Sequence, residues 1–188
     1  SPRVIAAIDI GTNSIHMVVA KVSDSGFEVI AREKDNTRLG EGGGDMKMLS
    51  PEAIERGIKA LRNMRRIADA HRASVFAVAT SAVREAKNSS DFVDRVSIEA
   101  GIDIEVISGV EEARLIHLGV LQALPLSDKR SLLIDIGGGS TEVVIFDHTE
   151  ELFVRSFKID AVRLSNRFFP FSSTHPASVP SCAKFIAS

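Results

Sequence analysis

Two short stretches of this sequence bring together groups suited to holding a phosphate chain. Ala7-Ile8-Asp9-Ile10-Gly11-Thr12-Asn13-Ser14 and Leu133-Ile134-Asp135-Ile136-Gly137-Gly138-Gly139-Ser140 align without a gap, 126 positions apart. In each, Asp-Ile-Gly closes an apolar run, a turn of small residues follows, and a second apolar run returns, so the repeat predicts two related hairpins opening two related domains. Glycine lets the backbone come within hydrogen-bond distance of an anion, and successive amides then donate without any positive side chain. Thr12, Asn13, Ser14, Ser140 and Thr141 add short side-chain donors, while Asp9, Asp135 and Glu142 offer hard oxygen ligands for Mg²⁺. Two such loops facing each other would grip a phosphate chain. Either one alone could equally be a tight turn with structural glycines, because Asp-Gly turns are common; the repetition favours the anion. The chain has no Gly-x-x-x-x-Gly-Lys-Ser/Thr and no Gly-x-Gly-x-x-Gly leading into a helix, so neither a P-loop nor a dinucleotide fold is supported.

Composition requires that grip to be local. Among 188 residues, 23 Lys and Arg face 25 Asp and Glu, a net charge of -2, so no excess of positive charge exists to hold nucleic acid or an anionic membrane. With 44% apolar and 26% charged residues the chain has the composition of a soluble globular protein. No apolar run approaches the roughly 18 to 20 residues of a membrane span, and no leader opens the chain, so a cytoplasmic location is expected. The single cysteine, Cys182, permits no internal disulfide and no cysteine zinc cluster. His16, His71, His117, His148 and His175 show no metal-ligand spacing.

The elements that must position the loops are legible. Val4 to Ile10, Ile15 to Val22 and Phe27 to Arg32 read as an antiparallel meander. Thr37 to Leu49, with Gly40, Gly42, Gly43 and Gly44, reads as a mobile loop. Ser50-Pro51-Glu52 starts a helix running to about residue 71, with a capping hydroxyl, proline in the first turn and an acid where the dipole favours it. Ile54, Ile58, Leu61, Met64 and Ile67 form its buried stripe, leaving Lys59, Arg62, Arg65 and Arg66 towards water. A strand over 75–80, a helix over 90–100, a strand over 104–107 and a helix over 111–123 continue an α/β layer. The polar segment 125–130 is the expected boundary between a first domain, 1–125, and a second, 126–188. Beyond it, 132–136, 143–147 and 152–157 form another meander, and the tail from Phe168, with Pro170, Pro176 and Pro180, shows no element before Ala183.

Further segments complete a resemblance. Arg38-Leu39-Gly40-Glu41-Gly42, Ala77-Val78-Ala79-Thr80-Ser81-Ala82-Val83-Arg84-Glu85-Ala86 and Ile107-Ser108-Gly109-Val110-Glu111-Glu112-Ala113-Arg114-Leu115 lie between the two loops, and Thr141-Glu142 follows the second. In this order the chain resembles the exopolyphosphatase and guanosine pentaphosphate phosphohydrolase (Ppx/GppA) family of the actin, sugar kinase and Hsp70 superfamily, over roughly residues 4 to 169. The resemblance implies a mixed-sheet α/β fold of the actin-like ATPase, ribonuclease H-like type. It implies removal of the terminal phosphoryl group from inorganic polyphosphate or of the 5′ terminal phosphate from guanosine pentaphosphate, with Mg²⁺ assisting. Polyphosphate or guanosine pentaphosphate would then be the partner, without nucleic acid or membrane, and a homodimer is allowed.

Carried over by position, Glu112 activates the attacking water and Arg84 meets the transferring phosphoryl oxygens. Asp9, Gly11, Thr12, Asn13 and Ser14 and, in the second loop, Gly137, Gly138, Gly139, Ser140 and Thr141 form the phosphate-binding set, and Asp135 and Glu142 organise the metal. Alternatives stand beside each role. Glu112 at a helix start could be structural, and Glu111 rivals it as base. Arg84 could be a surface cation paired with Glu85. Arg38 could reach substrate from its loop, but a solvated loop arginine is the safer expectation, and Lys59, Arg62, Arg65, Arg66 and Arg72 could guide a polyanion but read as a wet face. Family members continue well past residue 188, so the second domain is expected to be incomplete, and a truncated, non-catalytic phosphate or nucleotide-binding module is the alternative function. Phe168, Phe169, Phe171 and Phe185 would then need cover.

Overall fold

The computed structural model describes residues 3–42, 47–126, 128–169 and 178–186. Strands β1 (Arg3–Ile10), β2 (Ile15–Ser23) and β3 (Gly26–Asp35) form the expected antiparallel meander. β4 (Ser74–Ala79) adds parallel to β1, and β5 (Ile104–Val106) parallel to β4, giving a five-stranded sheet in the order β3-β2-β1-β4-β5. Period-two alternation decides which face is buried: Ala6, Ile8 and Ile10 stand opposite Val19, Met17 and Ile15, and all six are buried. Ala7 and Asp9 point the other way and are exposed.

Helix α1 (Pro51–Ala70) covers the buried face, touching β2 and β4. It begins as the sequence dictates: Ser50 Oγ accepts from the Ala53 amide at 3.1 Å, with Pro51 in the first turn. Ile54, Ile58, Leu61 and Met64 are buried, whereas Ile67 is half-buried and Ala68 takes the last core position. The short helix α2 (Ser81–Glu85) and α3 (Ser89–Ala100) follow, and α3 stops at Gly101, whose φ of 64° suits a residue without a Cβ. Among the α1 cations, exposed Arg62 pairs with Glu99 at 2.8 Å, and half-buried Arg65 with Asp69 at 2.9 Å.

The chain divides into two compact units, the first ending at Ile107 and the second starting at Ser108. Helix α4 (Gly109–Ala123) therefore belongs to the second unit, although it precedes the polar 125–130 segment that the sequence marks as a boundary. Its packing explains this. β6 (Arg130–Ile136), β7 (Thr141–Asp147) and β8 (Glu150–Phe157) form a three-stranded antiparallel sheet, and α4 lies on β7 and β8. Buried Ala113, Val144 and Phe146 form the core there, with Leu121, Leu126, Leu133 and Val154 around them.

Two irregular segments also differ in part from the sequence reading. The stretch read as a mobile loop has no helix or strand among its described residues, and over 36–42 it is a turn with Thr37, Leu39 and Gly40 buried; Gly43 and Gly44 lie outside the described residues. A helix the sequence did not announce, α5 (Ala161–Phe168), precedes the tail, and the tail holds a helix that starts before Ala183, α6 (Ser178–Ile186), enclosing buried Cys182. Pro180 sits in the first turn of α6, where a missing amide hydrogen costs nothing. Phe168 and Phe169 are half-buried, whereas Phe171 and the Phe185 side chain lie outside the described residues. No described helix is long and apolar enough to cross a membrane.

Candidate active site

The first loop is a four-residue connection between β1 and β2, whose last pair is Ile10 with Ile15. The Gly11 amide donates to the Ser14 carbonyl at 3.1 Å, turning the backbone so that a Cβ at Gly11 would stand 2.9 Å from that oxygen. Glycine is therefore required by space. The amides of Thr12, Asn13 and Ser14 donate to no protein acceptor among the described residues. Thr12 is buried, and its Oγ1 also lacks a partner among the described residues. Asn13 is exposed at the tip, and Ser14 Oγ lies 2.8 Å from His16 Nε2.

The second loop repeats the first in detail. Ile136 pairs with Thr141, the Gly137 amide donates to the Ser140 carbonyl at 2.9 Å, and a Cβ at Gly137 would meet that oxygen at 3.1 Å. The amides of Gly138 and Ser140 have no protein acceptor among the described residues. Gly139 and Ser140 are buried, while Gly137, Gly138 and Thr141 are half-buried. Thr141 Oγ1 donates to the Ile159 carbonyl and so serves the fold as well as the loop.

Arg84 reaches the base of the first hairpin through the backbone. The Thr80 amide donates to the Ile10 carbonyl at 3.2 Å, which anchors the start of α2 beside the end of β1. The Arg84 side chain is only 19% exposed; Nη1 donates to the Ile107 carbonyl at 2.8 Å, and Nε lies 3.8 Å from Glu85. The pairing with Glu85 is present, then, but at a largely enclosed site rather than a wet surface. In the second unit Ser108 caps α4, its Oγ accepting from the Glu111 amide at 3.1 Å. Glu111 is exposed, with Arg114 at 3.9 Å, whereas Glu112 is half-buried beside Ala113. Both carboxylates sit in the positive end of the helix dipole. Asp135 and Glu142 face each other across the β6–β7 ladder on one side of the sheet. Asp135 is exposed; Glu142 is 1% exposed, its Oε1 accepting from Ser156 Oγ at 2.7 Å while Oε2 is buried without a hydrogen-bond partner among the described residues.

With this geometry, comparison with known proteins becomes decisive. The model of the Ppx/GppA phosphatase family matches residues 18–187. The chain belongs to the Ppx/GppA phosphatase family. An exopolyphosphatase structure from Cytophaga hutchinsonii is 38% identical with a TM-score of 0.88, covering 93% of this chain and 56% of its own. A curated relative from Haemophilus influenzae is 37% identical over 168 residues, covering 89% of this chain and 52% of the relative. The chain thus spans about half the length of the relatives it matches. The ethanolamine utilization protein EutJ from Carboxydothermus hydrogenoformans, 15% identical over 88% of this chain and 56% of its own with a TM-score of 0.52, shares the fold alone. The fold is the mixed α/β, actin-like ATPase type that the sequence resemblance implies.

The Mg²⁺ that this Ppx/GppA resemblance implies fits the donors present. Mg²⁺ keeps several waters and needs only one or two carboxylates, and the unpartnered buried Oε2 of Glu142 opposite Asp135 supplies hard oxygen of that kind. Several residues around the hairpins escaped sequence reasoning. Arg56 donates from Nε to the Thr37 carbonyl at 2.9 Å and from Nη2 to the Arg38 carbonyl at 3.2 Å, fastening the 36–42 turn to α1. At the second hairpin, the Ala161 amide donates to the Gly137 carbonyl at 3.3 Å, and the fully buried Asp160 caps α5 through the Arg163 amide at 2.8 Å. Burial pushes the Asp160 carboxyl up, opposed by bonds and charge from Arg163. Arg163 Nε lies 2.8 Å from Asp160 Oδ2, yet neither atom has a hydrogen-bond partner among the described residues, so the contact is ionic and poorly aligned. Only the spacing of Asp160 before an amphipathic turn hints at the cap; the arginine contacts join residues far apart in sequence.

Proposed function

We propose that this chain carries the phosphate-binding and water-activating groups of an exopolyphosphatase-type phosphohydrolase. It removes the terminal phosphoryl group from inorganic polyphosphate or the 5′ terminal phosphate from guanosine pentaphosphate. The observation that supports this most is the hairpin built twice with the same internal bond, each leaving amides without protein acceptors among the described residues. Those amides neutralise phosphate oxygens without needing a basic surface, which accords with a net charge of -2.

Glu112 is the general base: half-buried, it takes a proton from a water aligned behind the terminal phosphorus. As that oxygen bonds to phosphorus, the bridging P–O bond breaks, and the electron pair leaves on the shortened chain. Glu111 is the poorer candidate because it is exposed and faces Arg114. Arg84 stabilises charge on the transferring oxygens. Asp135 and Glu142 would hold Mg²⁺, which when bound offsets the charge of the phosphate oxygens.

Phosphate release from long-chain polyphosphate and from guanosine pentaphosphate by the full-length protein with Mg²⁺ tests this. Glu112→Gln is expected to lower kcat by about 10²- to 10⁴-fold, with Glu111→Gln close to wild type. A Glu112→Gln protein that keeps most of its activity overturns the base assignment.

A further inference from the structure

We propose that Arg38 is a further phosphate-contacting residue, held over the first hairpin by Arg56 acting as its positioning residue. This rests on the phosphate-chain reading above and extends it to a unit beyond those held by the hairpin amides. Arg38 is not on a free loop. Its amide donates to the Asn13 carbonyl at 2.9 Å, and the Gly40 amide donates to the Thr12 carbonyl at 3.1 Å, so the turn is stitched to the hairpin on both sides of Leu39. Leu39 is fully buried, entering the space that Gly57 leaves on α1, where a Cβ would stand 3.1 Å from Leu39 Cδ2. From α1 the Arg56 guanidinium grips the carbonyls of Thr37 and Arg38.

Within this clamp Arg38 holds a φ of 52°, a left-handed conformation that an L residue other than glycine or asparagine enters at a cost. The guanidinium gains little for the fold in return: its side chain is 67% exposed, with Glu41 at 4.0 Å. A strained backbone, an exposed cation and adjacent hairpin amides without protein acceptors among the described residues, beside the unpartnered Thr12 Oγ1, fit a ligand contact better than a structural one.

Calorimetric binding of tripolyphosphate and of orthophosphate with Mg²⁺, together with thermal unfolding, tests the proposal in wild type, Arg38→Gly, Arg38→Asn, Arg56→Lys and the Arg38→Gly/Arg56→Lys double variant. Losing one charge-assisted contact is expected to weaken tripolyphosphate by about tenfold in Arg38→Gly and Arg38→Asn, and orthophosphate by less. The unfolding midpoint should stay or rise, since glycine and asparagine accept the positive φ. Arg56→Lys keeps the charge but loses the fork, so it should also weaken tripolyphosphate, and the double variant should bind no more weakly than Arg38→Gly alone. Wild-type affinity in both Arg38 variants overturns the proposal, as does lost binding accompanied by a lower midpoint in both. Absence of tripolyphosphate binding by wild type would instead remove the phosphate-chain reading on which it rests.

Discussion

The two hairpins have the same backbone on sheets covered from opposite sides. In β1, Ala6, Ile8 and Ile10 are 0%, 2% and 0% exposed beneath α1; their counterparts in β6, Leu132, Ile134 and Ile136, are 60%, 55% and 69% exposed. The other face reverses: Ala7 and Asp9 are exposed in β1, whereas the face carrying Leu133 and Asp135 in β6 is the one on which α4 packs, over Val144 and Phe146. Yet the Gly11 to Ser14 and Gly137 to Ser140 bonds differ by only 0.2 Å. Turn chemistry and strand register fix the loop, while burial fixes how firmly its sheet is held.

That contrast can be broken most severely in the thinner core. Phe146→Ala should cost about 3–5 kcal/mol and melt the second unit, whose buried cluster is Ala113, Val144 and Phe146. Amide exchange should show protection lost in β6–β8 while β1 and β2 keep theirs. Next comes the strand pair itself: Ile8→Ala should destabilise by about 2–5 kcal/mol, but Ile134→Ala by no more than about 0.5, read from denaturant midpoints. Equal losses would mean that the β6 face is covered in solution. At the loops, Gly11→Ala and Gly137→Ala should each cost on the order of 1–3 kcal/mol by forcing the backbone apart. Gly11→Ala should cost more, because its Cβ would come closer to carbonyl oxygen, 2.9 Å against 3.1 Å.

The smallest effect is in pH. Because burial raises the Asp160 carboxyl in the folded state, the folded chain binds this proton more readily than the unfolded one. The stability tied to Asp160 is complete below the ordinary aspartate range and is lost as pH rises through its raised value. Asp160→Asn, which still caps a helix, should flatten that part of the stability profile, so that the difference between variant and wild type changes with pH there; a variant profile parallel to that of wild type would show that Asp160 does not titrate there.

What the sequence made legible was local. Ser50-Pro51-Glu52 announces α1, period two announces the meanders, and the repeated Asp-Ile-Gly announces both hairpins, since each depends on residues within a few positions. The rest depends on distant partners. An amphipathic pattern in α4 says that one side is buried, but not against which sheet. Glycines at 40 and 42 suggest freedom, whereas the buried Leu39 and the bond from Arg56 tie the turn to α1. Helix α2 has five residues, too few for a 3.6-residue period to declare itself. Glu112 and Arg84 draw their meaning from family order, and the structure adds only their surroundings.

Titrating tripolyphosphate and Mg²⁺ into the isotopically labelled protein, while following its backbone amides by NMR, tests most directly whether the repeated hairpins bind phosphate. The amides of Thr12, Asn13 and Ser14 and those of Gly138 and Ser140 should shift as tripolyphosphate is added. A hairpin whose amides do not respond would contradict it.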